Sequence, residues 1–390
     1  MPWKETCAME EREAFVQAWL SREFTMSELC ERFEVSRPTG YKWVERFRSE
    51  GRAGLADRTR AAHRHPNALP VEQQAAILAL KRRHPSWGPI TLRDWLRREQ
   101  PRQHWPAAST VGDVLKRHGL VQPRRRRWHT PPHTQPFRAI AAANDVWSAD
   151  YKGQFALGNG QLCYPFTLTD NFSRYLLCCQ GLYGPQGQPT RACLERAFRE
   201  YGLPRAIRTD NGTPFAGVAV GGLSRLAIWW LKLGILPERI DLGKPQQNSR
   251  HERMHRTLKA ATANPPKANF SAQQRAFNRF RSEYNDQRPH RSLGQGRRPG
   301  EWYRSSPRPF PQHLPEVHYP DRCVLRKIKH NGSMRWDGDY IYVAKILAGE
   351  YVGLQPIEHD RWEVFFAQLP LGVFDARSRT NSIIRPKIRV

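Results

Sequence analysis

The segment PRAIRTDNG (residues 204–212) has the pattern of a short buried strand, Pro204 to Thr209, that ends in the turn sequence Asp210-Asn211-Gly212. Upstream, residues 146–151 are typical of a strand, and 162–179 of two strands joined by a turn. The remaining elements are predicted helices at 190–201, 223–233 and 248–261 and a short strand at 238–242. Strands and helices that alternate in this order predict an α/β sheet with helices packed on it.

The first 60 residues have the pattern of three short helices. Thr25-Met-Ser-Glu28 has the spacing of a capping box at the start of the second helix, and the third starts at a serine followed by a proline in its first turn. A tight turn between these two helices predicts a helix-turn-helix DNA-binding module over residues 1–60, with Arg37, Thr39, Gly40 and Lys42 towards the DNA groove. A plain three-helix bundle is the alternative interpretation.

Two further regions flank the α/β segment. Residues 66–121 contain three helical patterns, with one helix over 71–83 and another opened by a capping box at Thr91-Leu-Arg-Asp94, and they predict a second helical DNA-binding module. Residues 316–390 contain the turn Trp336-Asp-Gly338-Asp between β-rich flanks and predict a small β-barrel.

The chain is strongly basic, with a formal charge of +27 over 390 residues. This charge indicates a polyanionic partner, although a GC-rich genome would also enrich arginine. The segment 122–139 has no acidic residue and several prolines, so we expect an extended basic linker there. Its candidate DNA-binding residues are Arg124, Arg125, Arg126 and Arg127.

Neither a membrane nor an oxidising compartment is indicated. No apolar run approaches the roughly 18–20 residues needed to cross a bilayer, and the N-terminus lacks the core of a signal peptide. The seven cysteines are odd in number, contain no C-x-x-C spacing and have apolar neighbours. We therefore expect a cytoplasmic protein without a zinc knuckle.

Three carboxylates stand at informative positions of the α/β segment: Asp150 in its first strand, Asp210 after a later strand and Glu252 on its last helix. Oxygen ligands of this kind suit Mg²⁺ or Mn²⁺, and a pair of such ions can support in-line phosphoryl transfer. Taken singly, Asp210 could simply begin an Asn-Gly turn, and Glu252 could form a surface ion pair. Asp170 is a rival carboxylate, but its place in a hairpin favours a turn-capping role.

The same helix also fits a zinc-protease pattern. His251-Glu252-Arg-Met-His255 matches H-E-x-x-H, in which two histidines bind Zn²⁺ and the glutamate acts as the base. Glu283 is available as the third ligand that a protease needs. The many cationic neighbours and the helix-turn-helix pattern are not explained by a protease, so this is the weaker hypothesis.

Five segments of the chain resemble the retroviral-integrase-like catalytic core of bacterial insertion-sequence transposases of the DDE type. They are WSADYKG (147–153), TDNFSRY (169–175), RTDNGTPF (208–215), KPQQNSRHERMHRTLK (244–259) and YNDQRPHRSL (284–293). The resemblance covers residues 140–305 and implies a ribonuclease-H-like fold. It also implies that Asp150, Asp210 and Glu252 are the catalytic and metal-binding triad, with two Mg²⁺ or Mn²⁺ ions as cofactors.

The resemblance implies a transposase that binds the ends of its element, cleaves to free a 3′ end and transfers that strand into target DNA. Its partners would be double-stranded DNA, both terminal repeats and target, and further copies of itself, on the bacterial nucleoid. A DNA-binding regulator with an inactive core is the alternative. The candidate phosphate contacts of the core are Lys244, Arg253, Arg256 and Lys259.

This chain departs from the family pattern at two places. Ser249 stands where glycine is common, and 41 residues separate Asp210 from Glu252, against roughly 35 in related transposases. The predicted helix at 223–233 accounts for the longer gap.

Overall fold

In a computed structural model, the chain is described over residues 7–59, 68–121, 140–217, 222–241, 245–294, 296–358, 360–377 and 382–384. Contacts between Cα atoms divide it into two compact units, Met1–Leu69 and Pro70–Val390. Within the described ranges, no helix is both long enough and apolar enough to cross a membrane.

The first unit is a bundle of three helices. They are α1 (Ala8–Leu20), α2 (Met26–Arg32) and α3 (Arg37–Glu50). The predicted capping box at the start of α2 is confirmed, because the Thr25 hydroxyl accepts from the Glu28 amide and the Glu28 carboxylate accepts from the Thr25 amide. The side chains of Phe15, Leu29 and Val44 are buried where the three helices meet.

Gly40 lies inside this bundle, so its predicted position towards DNA is wrong. A Cβ at Gly40 would approach Cys30 Sγ to 2.7 Å and Phe15 Cζ to 2.9 Å. The glycine therefore permits the close approach of α3 to α1 and α2, which a side chain would prevent. In contrast, the neighbouring Tyr41 is 58% exposed at the start of α3.

We expect Gly40→Ala to destabilise the first unit by about 1–3 kcal/mol, because the added methyl overpacks the bundle. Amide hydrogen exchange in α1–α3 should become roughly tenfold faster or more. Gly112→Ala is the matched control, since a Cβ there meets only Pro89, at an ordinary 3.5 Å. Unchanged protection in α1–α3 of the Gly40 variant would contradict this account of the packing.

The second unit begins with three more helices. They are α4 (Val71–Arg83), α5 (Pro89–Glu99) and α6 (Ala108–Arg117). The predicted bounds of α4 are confirmed. The predicted start of α5 at Thr91 is wrong, because the helix begins at Pro89, whose fixed φ suits the first helical position.

These helices contact the α/β part of the same unit through ionic and hydrogen-bonding pairs. His84 Nδ1 lies 2.9 Å from a carboxylate oxygen of Glu283, and Arg98 forms an ion pair with Glu301. A further pair joins Arg298 to Glu99. The second helical region is therefore docked on the core and does not stand apart from it.

A six-stranded mixed sheet forms the centre of the second unit. Its strands are β1 (Val146–Tyr151), β2 (Phe155–Ala156), β3 (Leu162–Asp170), β4 (Leu176–Leu182), β5 (Ala206–Thr209) and β6 (Leu236–Arg239). β1 pairs antiparallel with β3 and parallel with β5, β5 pairs parallel with β6, and β4 pairs with the other side of β3. The predicted α/β sheet is confirmed.

Helices cover both faces of this sheet. They are α7 (Gly187–Tyr201), α8 (Arg225–Lys232), α9 (Ser249–Thr262), α10 (Phe270–Ser282) and α11 (Pro299–Trp302). One buried cluster unites Trp147 and Phe166 of the sheet with Phe198 of α7 and Trp230 of α8. Another cluster joins β3 and β4 to α9 and α10 around Phe277.

The edge strand β4 is covered by side chains from and just beyond α10. Gln274 donates to the carbonyl of Cys179 and accepts from the amide of Gly181. Asn285 accepts from the amide of Leu176 and donates to its carbonyl. These side chains satisfy backbone groups that would otherwise present an open edge for pairing with another strand.

The C-terminal part forms two antiparallel sheets and not the predicted closed β-barrel. Its strands are β7 (Val324–Lys327), β8 (Ser333–Trp336), β9 (Asp339–Tyr342), β10 (Tyr351–Glu358), β11 (Arg361–Phe366) and β12 (Leu369–Asp375). β12-β11-β10-β7 is one open sheet, and the predicted hairpin turn at 336–339 joins β8 to β9. Among the described residues, β9 and β12 are joined to residues 382–384 only by isolated bridges, Tyr342 to Ser382 and Val373 to Ile384. No continuous ladder therefore closes these sheets into a barrel.

Candidate active site

The candidate site lies on the face of β1 that its even-numbered residues occupy. Trp147 and Ala149 point into the cluster with α7 and α8, and Tyr151 bonds to Thr190 of α7. Side chains alternate along a strand, so Asp150 faces the opposite side, towards α9. Its carboxylate lies 3.7 Å from His255 Nδ1 of that helix and is 17% exposed.

The register of the two parallel strands brings two of the predicted carboxylates together. Ser148 pairs with Arg208, and two residues further along, the same register sets Asp150 level with Asp210, which directly follows β5. The pKa of Asp150 is raised to about 7, first by burial, then by the negative charge of Asp210 and to a smaller extent by that of Glu252. All three predicted carboxylates therefore share one electrostatic environment.

Asp210 and Glu252 differ in their exposure and in their hydrogen bonds. Asp210 is half-buried, and one of its carboxylate oxygens accepts from the amide of Gly212 at 3.1 Å, so it also shapes the Asn-Gly turn as expected. Glu252 is exposed on the first turn of α9 and has no ion pair with any other described residue. The alternative that Glu252 serves a surface ion pair therefore finds no partner in the described part of the chain.

Beneath Asp150 lies a buried network that the sequence did not predict. The Thr167 hydroxyl donates to the Asp150 carbonyl and lies 2.7 Å from His251 Nε2 and 2.6 Å from His255 Nε2. Thr169 lies 2.8 Å from His251 Nδ1. Two threonines spaced i, i+2 on one face of an otherwise apolar buried strand were the available signal, because such hydroxyls need partners.

The two threonine hydroxyls bond to three of the four ring nitrogens of these histidines. The fourth, His255 Nδ1, lies 3.7 Å from the Asp150 carboxylate.

This arrangement disfavours the zinc-protease hypothesis. Atoms of Asp150, His251 and His255 do lie within 4.8 Å of one another, as in a metal-binding group. However, both ring nitrogens of His251 are engaged by threonines, and Glu252 is exposed while the two histidines are buried. Glu283, the candidate third ligand, contacts His84 instead.

Asp170 has the turn-capping role that the sequence favoured. It is 1% exposed and accepts from the amide and the hydroxyl of Ser173 and from the amide of Asn144. Three donors hold this carboxylate in the β3–β4 turn, away from the other three acids.

The predicted DNA-binding residues differ in how exposed their side chains are. Exposed side chains are found at Arg37, Lys42, Arg253, Arg256 and Lys259, the last three on the same helix as Glu252. Thr39 is half-buried, and its hydroxyl bonds to Ser36 at 2.9 Å. Their DNA-binding role stays a prediction. Lys244, Arg124, Arg125, Arg126 and Arg127 lie outside the described residues.

The buried histidines give a testable pH dependence. Burial lowers the pKa of His251 from 6.5 to about 3, so its ring is neutral in the fold. A lowered folded pKa gives stability that is complete above the unfolded pKa and is lost as the pH falls. Between pH 7 and pH 5 we expect His251 to cost the metal-free protein about 2 kcal/mol of unfolding free energy.

The test is chemical denaturation of wild type and His251→Asn at pH 7 and pH 5. The variant should show a smaller loss of stability on acidification, whatever its absolute stability. His118→Asn, which removes an exposed ring, is the control and should keep the wild-type loss. An equal pH dependence in His251→Asn and wild type would contradict the assignment of a neutral buried ring.

Four sequence-family models match parts of the chain. The integrase core domain matches residues 141–245 and 233–296. A helix-turn-helix domain matches residues 11–63, and a homeodomain-like domain matches 39–115. These matches define an integrase-core protein with N-terminal helix-turn-helix DNA-binding domains, and they favour this interpretation of the three-helix bundle over that of a bundle without a DNA-binding motif.

Two relatives come from bacterial insertion elements. The insertion element IS476 uncharacterized 39.2 kDa protein of Xanthomonas euvesicatoria is 30% identical over 251 residues, which is 63% of this chain and 70% of the relative. The chain belongs to the insertion-sequence transposases with a retroviral-integrase-like core. The insertion element IS407 uncharacterized 31.7 kDa protein of Burkholderia multivorans is 31% identical over 174 residues, and this chain spans 60% of its length.

Two solved structures are also similar. The HTLV-2 integrase catalytic core domain in complex with magnesium is 15% identical, with a TM-score of 0.32, over 41% of this chain and 97% of that chain. The simian T-cell lymphotropic virus intasome in complex with PP2A regulatory subunit B56 gamma is 14% identical, with a TM-score of 0.38, over 78% and 99%.

Proposed function

We propose that this chain is an active transposase, which cleaves DNA at the ends of its element and joins the freed 3′ hydroxyl to target DNA. The observation that carries the proposal is the shared environment of Asp150, Asp210 and Glu252, in which two neighbouring carboxylates add to the effect of burial on Asp150. The charge of Lys152 opposes this rise in pKa only in part, and carboxylates clustered in this way are typical of sites that bind metal ions.

The residues at this site fit divalent cations. The three candidate ligands are all carboxylates, and hard oxygen donors of this kind suit Mg²⁺ or Mn²⁺. In addition, His255 Nδ1 lies 3.7 Å from the Asp150 carboxylate, on the side of Asp150 that faces α9. Two such ions, when bound, supply activation of the attacking oxygen and stabilisation of the leaving oxygen.

The chain's own residues would hold and orient the reactants. Asp150, Asp210 and Glu252 would bind the ions, and Thr167 fixes the strand that carries Asp150 through its bond to the Asp150 carbonyl. Arg253, Arg256 and Lys259 would place positive charge against the DNA backbone, and Lys244 would do the same. In the cleavage step, water attacks the phosphodiester at the element end, and the P–O bond to the 3′ oxygen breaks to release the 3′ hydroxyl. In the joining step, that hydroxyl attacks a target phosphodiester and displaces the 3′ oxygen of the target strand, so one P–O bond replaces another.

The terminal repeats would be bound by the N-terminal modules. Arg37, Thr39 and Lys42 would contact DNA from the start of α3, and Arg124, Arg125, Arg126 and Arg127 would bind the backbone from the linker. The complex would be a homo-oligomer on DNA in the bacterial cytoplasm. A regulator with an inactive core would bind the same ends without nicking them.

Single changes Asp150→Asn, Asp210→Asn and Glu252→Gln should each lower Mg²⁺- or Mn²⁺-dependent cleavage and joining by roughly a thousandfold or more, because each removes a charged ligand. Binding to the element ends should remain close to wild type. Asp321→Asn is the matched control, since this carboxylate is exposed and remote in sequence. Full joining by one of the three variants would remove that residue from the site, and no nicking by wild type would favour the regulator.

The double change Arg37→Ala with Lys42→Ala should abolish the preference of the full chain for its terminal repeat over an unrelated duplex of equal length. Both side chains are exposed at the start of α3, where a recognition helix meets the groove. The measurement is a competition binding assay in the absence of divalent metal. An unchanged preference would assign end recognition to another part of the chain.

A further inference from the structure

Two thiols from different elements lie side by side in the core of the second unit. Cys178 is on β4 and Cys193 is on α7, and their side chains are 8% and 3% exposed. Both belong to the cluster that packs α7 on the sheet, and the Cys178 thiol donates a hydrogen bond to the sulfur of Cys193. Both are free thiols in this structure. Two sulfurs in such contact can be joined as a disulfide with little movement of the backbone.

A guanidinium contacts one of the two sulfurs. Arg196 lies one turn further along α7, and its Nη2 is 3.6 Å from Cys193 Sγ and 3.0 Å from the side-chain oxygen of Gln180. Positive charge beside a sulfur favours the thiolate. The pKa of Cys193 is lowered, first by the hydrogen bond from Cys178 and then by Arg196, although burial opposes this. The same hydrogen bond and burial raise the pKa of Cys178, so Cys193 is the nucleophile of the pair.

A cavity of about 620 Å³ between β4, α7 and α10 gives access to both thiols. Cys178 and Cys193 are among its lining residues. Its lining also includes the exposed side chains of Arg196, Glu200 and Asn278, so the cavity opens to solvent. A small polar molecule can therefore reach the two sulfurs in the folded protein.

The neighbouring thiols are in a different setting. Cys179 follows Cys178 on β4 and therefore points to the opposite face of the sheet, where it joins Cys163 in the cluster with α9 and α10. Burial raises the pKa of Cys163 to about 11, and it raises the pKa of Cys179 as well. Because Cys179 also lines the cavity, it is an internal reference for a thiol that is accessible from the same side but stays protonated.

We propose that Cys178 and Cys193 form a redox-sensitive dithiol, which peroxides oxidise to a disulfide between β4 and α7 with the help of Arg196. This inference goes beyond the proposed function and does not rest on it, because it uses none of the three carboxylates. Disulfides that form in a reducing compartment are usually of this transient kind.

The reaction has two steps. The Cys193 thiolate attacks one oxygen of hydrogen peroxide, the O–O bond breaks and hydroxide leaves, so the sulfur is oxidised to a sulfenic acid and the peroxide is reduced. The Cys178 sulfur then attacks the Cys193 sulfur, the S–O bond breaks, and the hydroxyl leaves as water with the Cys178 proton. Exchange with a small thiol, which is itself oxidised, returns both cysteines to the reduced form.

The test treats the reduced, full-length protein with hydrogen peroxide under native conditions and maps its thiols by mass spectrometry without reduction. In wild type, a peptide pair cross-linked through Cys178 and Cys193 should form, and dithiothreitol should remove the cross-link. Cys178→Ala should accumulate the Cys193 sulfenic acid, trapped with dimedone, roughly fivefold or more above wild type, because no second thiol consumes it. In Cys193→Ala, Cys178 should stay unmodified.

Two further variants make the outcome decisive. Cys179→Ala removes the adjacent buried thiol and should cross-link at the wild-type rate. Arg196→Gln should slow the cross-linking roughly threefold or more, because a smaller fraction of Cys193 is then thiolate. The proposal would be overturned by cross-linking of wild type that requires denaturant, by a cross-link through Cys179 instead, or by an unchanged rate in Arg196→Gln. Since the assay contains no DNA or divalent metal, a failure of the proposed transposase activity would not alter its outcome.

Discussion

Two adjacent parallel strands, β1 and β5, hold Asp150 and Asp210 at one level of the sheet in spite of their mutual repulsion. The pKa of Asp150 is raised from 3.8 to about 7, which corresponds to roughly 4 kcal/mol against ionisation, and burial contributes more to this rise than the charge of Asp210. The pairing withstands this cost because the other face of β1 is anchored by Trp147 and Ala149 in the largest cluster of the unit. The polar side of the strand thus depends on its apolar side.

Beneath the carboxylates, the rings of His251 and His255 are buried between the sheet and α9 and require hydrogen-bond partners. Thr167 and Thr169 of β3 satisfy three of the four ring nitrogens of His251 and His255. This leaves α9 fixed to the sheet by hydrogen bonds on one side, while its other side keeps Glu252 exposed. Hydrogen bonds to three of the four ring nitrogens offset most of the cost of burying these two rings.

The additional helix between Asp210 and Glu252 joins two parts of the second unit. α8 contributes Trp229 and Trp230 to the cluster on the sheet, and Leu223, Ala227 and Leu231, in and just before α8, belong to the cluster of the C-terminal strands. Because α8 packs against both clusters, its residues between Arg225 and Lys232 are all apolar, and only Arg225 is exposed. The longer spacing between the two acids therefore serves packing and leaves the carboxylates together.

Local signals in the sequence predicted the capping box at Thr25, the helix at 71–83, the strands β1, β3, β4 and β5 and the turn at 336–339, whereas β2 was missed and β6 lies at Leu236–Arg239 and not at 238–242. The resemblance to the DDE transposases assigned Asp150, Asp210 and Glu252 to one triad. Three features required the folded chain: Gly40 is a packing glycine, Thr167 supports Asp150, and the C-terminal strands form open sheets. Periodicity and capping act within one segment, whereas close approach, shared hydrogen bonds and ladder closure depend on residues that are distant in the chain.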